Sequence, residues 1–384
     1  MTAKTPLSLY IHIPWCEKKC PYCDFNSHLA RKAVDEIQYV NALLDDLKHD
    51  LEAYKDQIND RPLSSIFIGG GTPSLFSAKS YTMLLSGIKN LIDFTNDIEI
   101  TSEANPGSSE VEKFRGFRDA GVNRLSIGIQ SFNGSHLKAL GRVHNQQEAL
   151  NAASFAKQAG FDNFNLDLMF GLPEQSLEQS IADIKQAIDL SPSHLSCYQL
   201  TIEPNTLFHH SPPITPDDEL IWDMQQAIQT ELSNSAYKQY EVSAYAKNKQ
   251  CTHNLNYWQF GDYLGIGAGA HAKLSNNDGR ITRLWKIKHP NNYLKPERSF
   301  IGGIDIIQGK QFAFEFMMNA LRLNNGFDLA LFKQRTKLDI NAIQKNLDKH
   351  QTLELIEIKN NAVKPTERGR QMLDSMLQDY LVET

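Results

Sequence analysis

Six short apolar runs, each followed by a stretch whose apolar residues recur every three or four positions, limit this chain to a small set of folds. The runs are LSLYIHIP (7–14), SSIFIGG (64–70), DIEITSEANP (97–106), RLSIGIQSF (124–132), FNLDLMFGLP (164–173) and HLSCYQLTIEP (194–204). Amphipathic stretches such as SAKSYTMLLSGIKNLID and SLEQSIADIKQAIDL stand between them, and PDDELIWDMQQAIQTELSNS follows the last. Strand, helix and strand at roughly 30-residue intervals make βαβ units and a parallel sheet. The expected fold is α/β, a partial (β/α)6 barrel; a doubly wound open sheet gives a similar sequence.

In a parallel barrel, function sits at the C-terminal ends of the strands. Those ends carry Cys16, the run Gly69-Gly70-Gly71-Thr72, Glu103, Gln130, Asp167 and Thr201. Carboxylates and an amide inside ITSEANP, IGIQSF and LDLMF are poorly explained as ordinary loop polarity. They point to one shared site on the rim.

Beyond residue 240 the alternation stops. The expected division is a barrel over 1–240, an irregular aromatic- and glycine-rich extension over 241–304, and a small helical α+β unit of winged-helix type over 305–384. A unit of that type often binds DNA, but charges of both signs are mixed here and the chain carries a net charge of −6. A nucleic-acid backbone is therefore not an expected partner. No apolar run reaches the ~20 residues of a membrane helix. The N-terminus lacks the pattern of a signal peptide. A cytoplasmic setting with reduced thiols is expected, where clustered cysteines read as a metal or redox site.

Three of the five cysteines, Cys16, Cys20 and Cys23, fall within eight residues just after the first strand. Zinc would want a fourth ligand, which His12 or His28 could supply. A redox Cys-x-x-Cys pair leaves the third thiol without a role. An iron–sulfur cube held by three thiolates keeps one iron open to a small molecule.

Cys-x3-Cys-x2-Cys after the first strand of a βα barrel resembles the signature of the radical S-adenosylmethionine (SAM) enzymes. YIHIPWCEKKCPYC, with GGGTPS, SEANPG, RLSIGIQSF, LGRVHN and NLDLMFGLP, resembles the oxygen-independent coproporphyrinogen III dehydrogenase branch over nearly the whole chain. Dehydrogenases of that branch carry a further cysteine two positions after the third and a longer N-terminal extension. Here Phe25 occupies that position, and HNLNYW stands at 253–258. These features match the HemW-type heme chaperone subgroup.

The resemblance implies a [4Fe-4S] cluster on Cys16, Cys20 and Cys23. It implies SAM bound by Tyr10, Tyr22, Gly70, Gly71, Thr72, Glu103, Gln130, Arg142, Asp167 and Thr201. It implies heme with His253 as iron ligand beside Tyr257 and Trp258, with Cys251 as an alternative contact. Delivery to respiratory cytochromes or heme-storage proteins is implied too, with room for transient membrane-protein contact and a homodimer. The rival reading is oxidative decarboxylation of coproporphyrinogen III. Apart from the resemblance, Glu103 reads as a neighbour of helix caps at Asn105 or Ser108, Arg142 as a surface arginine, His253 as a hydrogen-bonded structural histidine and Cys197 as a core residue.

Overall fold

The computed structural model describes residues 4–107, 110–276, 279–295, 299–307, 309 and 311–381; Ser108 lies outside them. Six strands follow the six apolar runs: β1 (Leu7–Ile13), β2 (Leu63–Gly70), β3 (Phe94–Ala104), β4 (Arg124–Gln130), β5 (Phe164–Phe170) and β6 (His194–Gln199). They pair in parallel in chain order. The connecting helices are α1 (Glu36–Ala53), α2 (Ala78–Leu91), α3 (Glu110–Ala120), α4 (Gln146–Gln158) and α5 (Leu177–Asp189), and α6 (Asp218–Asn234) follows β6.

Local chemistry starts these helices where they start. Ser77 accepts from the Ser80 amide at the head of α2. Asn145 with Glu148, and Ser176 with Gln179, form reciprocal capping boxes on α4 and α5. Their buried residues, such as Tyr81, Leu84, Leu85 and Ile88 on α2, recur at three and four and cover the sheet.

Alternation along the strands gives the sheet two different faces. Leu9, Ile11, Ile66, Ile68, Leu125, Ile127, Leu166, Leu168 and Leu195 pack into the main hydrophobic core. The residues between them are polar: Ser8, Ser65, Glu99, Thr101, Arg124, Ser126, Asn165, His194 and Ser196, all buried. The concave side of the curled sheet is thus a hydrogen-bonding surface.

The segment expected to be irregular is regular in large part. Lys238–Gln239 (β7) and Ala244–Ala246 (β8) extend the sheet beyond β6. Thr252–Trp258 (α7) is a helix. Asp262–Ile266 (β9) pairs in parallel with β1 on its free side, Leu7 opposite Asp262. His271–Ser275 (β10), Ile281–Lys286 (β11) and Ile301–Ile307 (β12) continue outward as an antiparallel meander. Among the described residues the result is one 12-stranded sheet, ordered β12-β11-β10-β9-β1-β2-β3-β4-β5-β6-β8-β7. Its edges do not meet, so the barrel is open. No helix among the described residues is long and apolar enough to cross a membrane.

Two buried ion clusters hold this extension in place. Lys286 on β11 reaches Asp46 at 2.6 Å and Asp50 at 2.7 Å, both on α1. Asp262 on β9 is met by Arg61 at 2.8 Å and Lys273 at 3.1 Å. Each charge is paired and hydrogen-bonded, as burial demands.

The C-terminal unit packs a second core around Phe316, Phe332, Ile343, Leu347 and Val363, which also takes in Phe260 and Ile281 of the extension. Gln311–Ala320 (α8), Leu329–Thr336 (α9) and Asn341–Thr352 (α10) pack with a small sheet of Phe327–Asp328, Ala362–Pro365 and Ile356–Lys359. It is tied to the barrel through α7: the Arg322 guanidinium lies 4.3 Å from the Trp258 ring.

Candidate functional site

The C-terminal ends of β1 to β6 surround a cavity of about 530 Å³, a volume suited to a small organic ligand. Its wall includes Cys16, Cys20, Tyr22, Cys23, Gly70, Gly71, Thr72, Glu103, Gln130, Arg142, Asp167 and Thr201. These are the rim residues read from the sequence, brought together from every strand end. Tyr10 is not on the wall. Its ring stacks on Phe67, and its hydroxyl pairs with Nδ1 of His12 at 2.9 Å.

The cysteine loop is pinned at several points. The Gly71 amide donates to the Ile13 carbonyl and the Thr72 amide to the Trp15 carbonyl. A side chain at Gly71 would bring its Cβ to 2.4 Å from that Trp15 oxygen, so only glycine admits this contact. On the far side of the loop, Asn26 donates to the Ala268 carbonyl at 2.9 Å and the Lys288 carbonyl at 2.8 Å. Gly269 lies beneath it at φ +84°, where a Cβ would stand 2.3 Å from the Asn26 amide nitrogen. The extension strands therefore brace the cysteine loop.

Burial pushes the Cys16 thiol up, countered in part by a hydrogen bond with Thr72. Burial also raises Cys23, which sits 3.8 Å from the Ser27 hydroxyl. Arg142 lies 3.7 Å from the Cys20 sulfur and donates to Asn105 Oδ1 at 2.6 Å and the Gly128 carbonyl at 2.9 Å. Its Nε is buried with no partner. Arg142 is thus a guanidinium built into the wall with donor capacity left over.

Two carboxylates line the same cavity. Burial and the charge of Asp167 push Glu103 up to about 7, against the pull of the Gly70 amide, which donates to it at 3.1 Å. Burial raises Asp167 as well, although Ser126 at 2.8 Å and Asn165 at 2.8 Å donate to it. Gln130 sits at φ +66°, a conformation that costs a non-glycine residue, beside a register shift between β4 and β5. The cavity therefore offers carboxylates and a guanidinium to a ligand carrying charges of both signs.

The donor set, three thiols on one cavity wall, fits an iron–sulfur cluster. Among the described residues no three His, Cys, Asp or Glu side chains close around a single ion. His12, one of the two zinc-ligand candidates, has both nitrogens engaged, with Tyr10 and with the Asn26 carbonyl. The three thiols open onto the cavity wall, and Nε2 of His28, the other zinc-ligand candidate, is buried without a partner.

His253 lies elsewhere. Its side chain is buried on the concave face, one nitrogen at 2.9 Å from the Ser65 hydroxyl and the other at 3.2 Å from the Tyr257 hydroxyl. Neither nitrogen is available to iron in this arrangement. Burial holds the imidazole at about 3, neutral at physiological pH. The Cys251 thiol is also buried and donates to Glu99. Cys197 is a core residue.

Below the cavity runs a polar layer that sequence reading missed. Asn165 links Asp167 to His194 at 2.7 Å, and His194 meets the Tyr240 hydroxyl at 2.9 Å. The Cys251 and His253 amides donate to Tyr240 and Glu99. α7 and the turn before it thus close the lower end of the concave face. The available signal was the polar alternation inside the strand runs.

The chain matches the family model described as the radical SAM superfamily over residues 10–187 and that of the HemN C-terminal domain over 307–372. It is 50% identical over 383 residues to the heme chaperone HemW of Haemophilus influenzae, covering 98% of each. It is 47% identical over 384 residues to the heme chaperone HemW of Escherichia coli, covering 100% of each. The structure resembles that of coproporphyrinogen III oxidase (HemN) from Escherichia coli, a radical SAM enzyme, with a TM-score of 0.82 at 22% identity, over 98% of this chain and 90% of that one.

Proposed function

Because this chain belongs to the HemW family within the radical SAM superfamily, we propose that it is a heme chaperone. It carries a [4Fe-4S] cluster on Cys16, Cys20 and Cys23 and binds SAM in the rim cavity. It delivers heme to acceptor proteins, respiratory cytochromes or heme-storage proteins, in the cytoplasm. The observation that carries this reading is the single cavity wall shared by three thiols, two carboxylates and Arg142. The names of the relatives supply the heme.

Within the cavity each residue has a task. Arg142 holds the ligand carboxylate, using the donor capacity that Asn105 and Gly128 leave free. Glu103 takes a cationic group, and Asp167 and Gln130 take hydroxyls or other polar groups. Gly70, Gly71 and Thr72 let the ligand lie against backbone, with Tyr22 and Thr201 closing the sides. A cluster with an open iron, once bound, supplies a chelating position for the amino-acid end of SAM and a source of one electron.

Phe25 argues for carriage over decarboxylation. It occupies the position of the dehydrogenases' further cysteine and is 61% exposed, an apolar group presented at the mouth of the cavity. The test is anaerobic incubation of reconstituted protein with reductant, SAM and either coproporphyrinogen III or hemin. Expected are stable hemin binding, transfer to a heme-depleted acceptor, and no protoporphyrinogen above background. Catalytic decarboxylation without hemin transfer overturns the proposal.

A further inference from the structure

We propose that Asn165 is a positioning residue for the rim cavity: backed by His194 and Tyr240, it fixes Asp167 as an acceptor for hydroxyls of the bound ligand. This rests on the reading of the cavity as a SAM site and adds the residue that aims one of its carboxylates.

Asn165 is 1% exposed and does not line the cavity, whereas Asp167 and Ser126 do. Strand register sets it at the centre of a row. Ser126 on β4 stands opposite it on one side and His194 on β6 on the other. Asp167, two residues further along β5, lies on the same face. An asparagine amide can serve four partners, and all four are present. Its Nδ2 donates to Asp167 Oδ1 at 2.8 Å and to Ser126 Oγ at 2.9 Å. Its Oδ1 accepts from Ser196 Oγ at 3.1 Å and lies 2.7 Å from Nδ1 of His194. Ser126 in turn donates to Asp167 Oδ2 at 2.8 Å. Each carboxylate oxygen is thus held by one of these donors and keeps lone-pair capacity for the cavity.

These bonds run in one direction. Turning the amide over would set its oxygen against the Asp167 carboxylate, so Nδ2 faces Asp167 and Oδ1 faces His194. An amide oxygen only accepts, so His194 carries its proton on Nδ1. Burial and the Arg124 guanidinium keep the ring neutral. Its Nε2 is therefore bare and accepts from the Tyr240 hydroxyl at 2.9 Å. That hydroxyl accepts in its turn from the Cys251 amide at 3.4 Å. From Tyr240 to Asp167 every link donates toward the rim. The far end is anchored on the C-terminal unit: the Tyr240 carbonyl accepts from the Asn324 amide at 2.9 Å, and Glu241 pairs with Arg322 at 3.2 Å.

A purely structural amide needs only satisfied atoms. This one sends one hydrogen to Asp167 and the other to the serine that holds the second oxygen of Asp167. Glu103, Arg124, Cys197 and Tyr198 also act on Asp167 through their charge or its own, but none of them sets the direction in which its oxygens point.

The experiment is equilibrium SAM binding by anaerobically reconstituted full-length protein, with bound iron and sulfide as folding controls. The variants are Asn165→Leu and Asn165→Asp, each reported as an affinity ratio to wild type. Leucine keeps the volume and removes both donors. Aspartate keeps the acceptor for His194 and Ser196, and its second oxygen replaces a donor that stood 2.8 Å from Asp167. Two carboxyls that close share one proton in mild acid, which takes the place of the amide hydrogen, and repel once it leaves. Expected for Asn165→Leu is SAM binding weakened by roughly tenfold or more, with iron and sulfide unchanged. Expected for Asn165→Asp is near wild-type binding at about pH 6 that falls away toward about pH 9. Leucine-variant affinity equal to wild type, or an aspartate-variant ratio independent of pH, overturns the positioning role and leaves the SAM site standing. The aspartate variant decides alone if leucine costs the cluster. No SAM binding by the wild-type protein overturns both.

Discussion

Glu103 is the most informative residue to change, because the fold and the ligand make opposite demands on it. Burial and the nearby Asp167 carboxylate push it up to about 7, from an ordinary value of 4.5. A carboxyl raised this way favours the folded state while protonated. That advantage is whole below pH 4.5 and is lost as pH rises to about 7. At about 1.4 kcal/mol for each tenfold change, the loss amounts to up to ~3 kcal/mol above neutrality. Glu103→Gln, which cannot ionise, should therefore unfold later than wild type in denaturant at pH 8, by up to ~3 kcal/mol. Near pH 4 the two proteins should be alike.

The same substitution should weaken SAM. A cationic ligand needs the ionised carboxylate, so wild-type binding should tighten as pH rises through 7. Between pH 6 and pH 7.5 the ionised fraction of a group at about 7 grows by roughly eightfold. The assay is equilibrium SAM binding by both proteins across that range, reported as the ratio of their affinities, which removes the ligand's own titration. A ratio independent of pH, or equal extra stability of Glu103→Gln at pH 4 and pH 8, would refute the assignment of the raised group to Glu103.

Cys16→Ala, Cys20→Ala and Cys23→Ala should each abolish bound iron and sulfide after anaerobic reconstitution, while Cys197→Ala, a core change, should leave both intact. Asn26→Ala removes two bonds between the cysteine loop and the extension; cluster loss in air should speed up severalfold, followed by the fading of the visible absorption. His253→Ala empties a buried imidazole and strips partners from Ser65 and Tyr257; it should cost about 2–4 kcal/mol of stability by denaturant titration and leave the Soret band of bound hemin in place.

The barrel was legible because its signals are local. Apolar runs, capping boxes such as Asn145 with Glu148, and glycine-rich strand ends can each be read within a few residues. The rim was legible for the same reason, since parallel strands place every C-terminal end on one side. The extension was not, because β9 pairs with β1 across some 250 residues of chain and is written DYLGIGAG, with glycines where a strand would show side chains. Gly267 and Gly269 are needed there by close backbone and Asn26 contacts, not by any period. Tyr10 rests on the resemblance rather than on any local signal. It stands on a strand of the site, but its hydroxyl is taken by His12 one step from the rim.

The HNLNYW helix shows how a motif can hide the physics beneath it. Read alone, a histidine followed by two aromatics resembles a porphyrin pocket. In the fold, the same residues answer a different need. The concave face carries Ser8, Ser65, Glu99, Arg124, Asn165 and His194 at its lower end, all buried. A buried polar group left without a partner here would cost about 1–3 kcal/mol. α7 supplies partners. His253 bonds Ser65, its amide and the Cys251 thiol both donate to one oxygen of Glu99, and Tyr240 meets His194. Trp258 then carries the plug outward to Arg322 of the C-terminal unit. Asp167 joins this layer through Asn165, so the floor of the rim cavity and the HNLNYW helix share one continuous set of hydrogen bonds. The motif's distance from the cysteine loop then follows from the layering of polar residues along the strands. Its histidine belongs to that floor, held by Ser65 on one side and Tyr257 on the other.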